Sequence, residues 1–135
     1  MNRDKIDNLI AQLEGIKNTA KDIHYNCTGE NFYGNHLLAD RCANGLSEYI
    51  DQLKEICLLG HGYKPLISSE YLKRAVGYIP EHANFNGLKT LLISTLKTLE
   101  SVNNISKGDE NLLGAIAQDI QNNVGLINIM YGDIK

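Results

Sequence analysis

In Ile6-Asp7-Asn8-Leu9-Ile10-Ala11-Gln12-Leu13-Glu14-Gly15-Ile16-Lys17-Asn18-Thr19-Ala20-Lys21-Asp22-Ile23 the apolar residues recur every three or four positions. That is the period of a helix with one buried face, and it predicts a helix over residues 4–26, about six turns long. Asn26-Cys27-Thr28-Gly29-Glu30-Asn31 follows as a cluster of turn formers. The period resumes at Phe32 and runs through Leu38, Cys42, Leu46, Tyr49, Ile50, Leu53, Ile56 and Cys57, predicting a second long helix that stops at Leu59-Gly60-His61-Gly62. Residues 60–84 hold both prolines, Pro65 and Pro80, yet Ser68-Ser69-Glu70 reads as the capped start of a short helix. Phe85, Leu88, Leu91, Leu92, Leu96, Leu99 and Val102 mark a third long helix. Leu112, Leu113, Ile116, Ile120, Val124, Ile127 and Met130 mark a fourth, with Asp109 expected as its N-cap. No segment alternates with period two over a useful length. The expected architecture is an all-α four-helix bundle in which the connection between the second and third long helices carries a short helix and crosses the bundle's length.

The chain has 135 residues, enough for one domain with a sizeable core, so a single domain over residues 1–135 is expected. Thirteen Lys and Arg against 16 Asp and Glu leave a net charge of −3, and the basic residues form no run. This argues against a protein built around nucleic acid. No stretch approaches the roughly 18 apolar residues of a membrane span, and the first residues carry no apolar signal block, so no membrane partner and a cytoplasmic location are expected. Cys27, Cys42 and Cys57 are odd in number and lack CxxC spacing, which points to reduced thiols, each a small packed residue. Metalloprotease, P-loop and serine hydrolase motifs are absent from the sequence.

The residues with ligand chemistry are grouped. His24 lies near the end of the first predicted helix, His36 and Asp40 are four apart on the second, and Asp51 and Glu55 are four apart further along it. Each spacing of four places both side chains on one helical face. Imidazole and carboxylate donors in this ratio suit iron, and also zinc or manganese. On one continuous helix His36 and Asp51 stand about 22 Å apart at a rise of roughly 1.5 Å per residue. If all five residues serve one centre, then Asp51 and Glu55 must come from a two-fold partner, which implies an isologous dimer with two centres. If they do not, they are solvated charges paired along their own helices.

The stretch from His24 through Tyr25, Gly29 and Phe32 to His36, with Asp40, Asp51 and Glu55 at the following steps, resembles the miniferritins, the Dps-like branch of the ferritin superfamily. Leu58-Leu59-Gly60-His61-Gly62-Tyr63-Lys64-Pro65 and Ser69-Glu70-Tyr71-Leu72 are similar to that family's turn and short connecting helix. Gly108-Asp109-Glu110 is similar to the start of its last helix. The resemblance covers nearly the whole chain. It implies a ferritin-like four-helix subunit that assembles into a hollow dodecamer of two-fold dimers. Such a shell oxidises Fe(II), with hydrogen peroxide preferred to oxygen, and stores the ferric product inside.

In that reading His24 and His36 give neutral imidazole nitrogens, Asp51 and Glu55 give carboxylates able to bridge two irons, and Asp40 is a ligand or orients one. Since the imidazoles must be deprotonated to bind, metal affinity is expected to weaken in mildly acidic solution. Asp109 and Glu110 are candidates for acidic pores at a three-fold axis, with helix capping as the simpler reading of Asp109. His61 and His82 are expected as surface residues. The chain departs from the family in having Tyr25 where Trp is usual, Cys27 three residues after His24, and no Lys-rich tail at either end, which argues against DNA binding. The runner-up is a ferritin-like shell protein that binds metal or acts structurally without productive iron oxidation.

Overall fold

The computed structural model describes residues 2–132, so parts of both chain ends, on which the expectation about a basic tail rests, lie outside the described residues. The chain is all-helical: α1 (Arg3–Asn26), α2 (Phe32–Ala43), α3 (Leu46–Glu55), a π-helical turn (Ile56–Gly60), α4 (Ser68–Val76), α5 (Phe85–Ser101) and α6 (Lys107–Met130). Among the described residues no helix is long and apolar enough to cross a membrane.

The apolar stripe of α1 is its buried face. Ile6, Leu9, Ile10, Leu13, Ile16, Ala20 and Ile23 are all buried, and α1 packs against α2, α3, α4 and α5. Burial on this scale stabilises by roughly 1.5–3 kcal/mol for each large side chain, which offsets the poor helix propensity of the many Asn residues. Lys5 Nζ donates to the Ser101 carbonyl at 2.7 Å, and Gly15 lies against Leu91, so α1 and α5 run antiparallel. Contacts between residues 24 and 36 and between 21 and 40 make α1 and α2 antiparallel as well. It follows that α2 and α5 run in the same direction. The connection between α3 and α5, with α4 inside it, therefore has to return along the bundle's length, as the sequence predicts. Arg41 Nε donates to Asn123 Oδ1 at 3.2 Å and Tyr131 Oη to Asn35 Oδ1 at 3.1 Å, which seats α6 antiparallel against α2.

The predicted second helix is not continuous. Asn44 is extended (φ −65°, ψ 136°) and Gly45 is left-handed (φ 78°, ψ −6°), a type II turn that ends α2 and starts α3. The apolar period conceals the break because Cys42 and Leu46 are both buried on either side of it. The 22 Å separation of His36 and Asp51 assumes a straight rod and does not apply. A Cβ at position 45 would meet no atom within 4 Å, so Gly45→Ala carries only the backbone penalty. That penalty is about 1–2 kcal/mol for left-handed Ala. The expected result is a lower urea midpoint with an unchanged slope; an unchanged midpoint would show that the turn does not depend on glycine.

Two expected caps are also displaced. Ser68 is the first helical residue of α4, with Ile67 in the cap position and no side-chain cap bond. The α6 cap is Ser106, whose Oγ accepts from the Asp109 amide at 3.2 Å, and Asp109 sits inside the first turn.

Candidate metal-binding site

The turn between α1 and α2 brings two imidazoles face to face. The rings of His24 and His36 stack with centroids 3.6 Å apart at 18°. His24 Nδ1 donates to the His36 carbonyl at 2.8 Å, and His36 Nδ1 donates to the His24 carbonyl at 2.7 Å. A carbonyl can only accept, so each Nδ1 carries a proton, and in the neutral form of each ring the lone pair lies on Nε2. Neither Nε2 has a hydrogen-bond partner among the described residues. Imidazoles that ligate metals characteristically have the second nitrogen held in this way, because the bond fixes both tautomer and ring orientation. Both rings are half-buried, and Phe32 stacks on His36 at 5.0 Å.

The same seam carries a second cross-link. Lys21, one turn before His24, reaches Asp40, one turn after His36, with Nζ–Oδ1 at 2.8 Å. The Lys21 ammonium, by hydrogen bond and by charge, holds the Asp40 carboxyl below the usual carboxylate range. Asp40 consequently stays ionised through mildly acidic pH and protonates only below the ordinary range. Cys27 lies at the open end of the seam, with Sγ 3.8 Å from the carbonyls of both His24 and Phe32. It is half-buried, not enclosed as the sequence reading expected.

Asp51 and Glu55 project from α3 at one-turn spacing. Both are exposed, and neither side chain has a hydrogen bond or ion pair among the described residues. Among the described residues no group of three or more His, Cys, Asp and Glu side chains gathers closely enough within the chain to hold a metal ion. The five predicted ligands thus fall into an imidazole pair, a carboxylate already engaged by lysine, and a separate carboxylate pair.

Two further features escape the sequence. His61 is exposed, as expected, but it is tied down: its Nε2 lies 2.6 Å from Oδ2 of Asp109, which is itself buried. This tie between the loop after the π turn and the first turn of α6 occupies one of the two candidate pore carboxylates, while Glu110 remains exposed, as does His82. The other feature is a polar network at the same end, where Tyr71 Oη donates to buried Asp7 at 2.8 Å and Arg3 lies over the Tyr63 ring at 4.4 Å. Cys57 donates to Tyr63 Oη at 3.1 Å. Burial pushes the Cys42 thiol up to about 12 and the Cys57 thiol upward too, so both stay protonated, as packed cysteines should. Nothing in the sequence pattern connects His61 with Asp109, since they are 48 residues apart. Set beside known proteins, the chain matches no family model, and no curated protein matches it.

Proposed function

We propose that the chain is the subunit of a ferritin-like shell of the Dps type, a cytoplasmic dodecamer built from two-fold dimers, that oxidises Fe(II) and stores the ferric product. The observation that carries the reading is the reciprocal His24–His36 pair, which presents two oriented nitrogen donors with no hydrogen-bond partner for either Nε2 among the described residues. Two neutral nitrogens are an incomplete site for iron, which also takes carboxylate oxygens. Asp51 and Glu55 have the needed charge and one-turn spacing, and on this reading they complete the centre on the two-fold partner. Isologous pairing makes the exchange mutual and yields two centres per dimer. The apolar side chains exposed around the imidazole turn, Tyr25, Phe32, Tyr33 and Leu37, support a covered face there.

In this arrangement His24 and His36 position Fe(II) without adding charge, and the carboxylates favour the ferric state, which lowers the potential and drives oxidation. Two Fe(II) ions release two electrons; hydrogen peroxide accepts them with two protons and leaves as two waters. Metal-free protein mixed anaerobically with Fe(II) and then with peroxide is expected to give a fast rise in ferric absorbance. His36→Ala and Asp51→Ala should slow it by about 100-fold, equivalent to about 2.7 kcal/mol of barrier. Equal traces from all three proteins would refute iron oxidation at this centre.

A further inference from the structure

We propose that the cavity beside the Asn44–Gly45 turn binds a short aliphatic α-amino acid as its zwitterion, a role independent of the metal centre. Where α2 ends and α3 begins, residues of these two helices and of α1, α5 and α6 line a cavity of about 220 Å³. At roughly 30 Å³ per water it has room for about seven waters, which suits a small metabolite and is too little for a nucleotide. Its floor is apolar: Ile16, Cys42, Leu46, Leu92 and Ile120 line it and all are buried. Ligand sites in helical bundles are built in this way, from side chains that several facing helices contribute.

The polar part of the lining carries both signs of charge. Arg41 and Asp119 both line the cavity and are exposed, yet no ion pair joins them among the described residues. Each is held instead by a neutral neighbour that leaves its charge available. Arg41 Nε donates to Asn123 Oδ1 at 3.2 Å, so both Arg41 Nη atoms and the Asn123 amide nitrogen have no partner among the described residues. Asn123 also lines the cavity and is only 8% exposed, a nearly buried donor that the fold does not use. These donors suit a carboxylate, which a guanidinium binds through two parallel bonds. Tyr49 donates to Asp119 Oδ2, and that bond pushes the Tyr49 hydroxyl up to about 12, which keeps it a donor at neutral pH. Asp119 Oδ1 is left to accept from an ammonium. A molecule with one anionic and one cationic group on a short apolar body matches the floor and both charges, whereas a plain carboxylate would meet Asp119 as a like charge and a plain amine would meet Arg41.

Calorimetric titration of the full chain with three probes tests this: L-valine, isovalerate, which is valine without its ammonium, and isobutylamine, which is valine without its carboxylate. Wild type is expected to take up one L-valine per subunit, and to bind isovalerate and isobutylamine at least about tenfold more weakly. Arg41→Gln and Asp119→Asn should each weaken L-valine by about tenfold or more. Both residues are exposed, so neither substitution opens the core. Isovalerate should lose affinity in Arg41→Gln and gain it in Asp119→Asn, the opposite signs expected for a ligand that lacks the cationic group. Isovalerate bound as tightly as L-valine by wild type would overturn the amino-acid assignment. Equal L-valine affinity in all three proteins, or no saturable uptake by wild type, would overturn the site itself.

Discussion

On the proposed reading, shells assembled from equal amounts of His36→Ala and Asp51→Ala subunits are expected to regain about a quarter of wild-type Fe(II) oxidation, with each variant alone expected to be nearly inactive. The arithmetic follows from a centre shared across a two-fold axis. An intact centre needs His24 and His36 from a subunit carrying Asp51→Ala and the carboxylates from one carrying His36→Ala. With random pairing that combination occurs at about one centre in four. If all ligands came from one chain, every centre in the mixture would keep a defect and no activity would return. Recovery is thus diagnostic of the shared site, and a mixture no better than its parents would eliminate it. The test suits this chain because its imidazole pair and its carboxylate pair lie on α1–α2 and α3 respectively, and among the described residues neither belongs to a group of three or more side chains gathered closely enough to hold a metal ion.

The largest loss of stability is expected from Leu13→Ala. Leu13 is fully buried near the middle of α1, the helix that contacts α2, α3, α4 and α5, so the vacated volume has walls on several sides and collapses poorly. Deleting a buried leucine side chain of this kind costs about 3–5 kcal/mol, the sum of lost transfer energy and the cavity left behind. Against a total stability of about 5–15 kcal/mol that is a large fraction, visible as a strongly lowered thermal midpoint. Exposed Lys97→Ala should change stability by less than about 0.5 kcal/mol. A Leu13→Ala midpoint within error of wild type would mean that α1 is not the central helix of the core.

The helical stripes were legible because burial and periodicity are the same fact seen twice. Every apolar residue assigned to the α1 stripe is buried, and in α5 Phe85, Leu88, Leu91, Leu92 and Leu99 are buried too. The turn at Asn44 and Gly45 was not legible, since a type II turn can hand the chain on with its apolar phase intact. At the candidate site the sequence identified His24 and His36 by type and spacing. It could not show that each ring is held by the other's backbone, because carbonyl directions depend on how two helix ends face each other. Lys21 was passed over for a related reason: its spacing from His24 is visible, but its partner Asp40 is across the seam. The pairing of His61 with Asp109 joins segments that meet only in the folded bundle.

The turn at Gly45 also separates two phase relationships that a continuous helix would lock together. Along an unbroken helix each residue added between His36 and Asp51 rotates one donor set against the other by about 100°. Here α2 fixes the azimuth of the imidazole side through its contacts with α1 and α6, and α3 fixes that of Asp51 and Glu55 through its own packing on α1. The aim of each donor pair is therefore set by its local seam, and changes in the linker's length or twist need not be transmitted from one pair to the other.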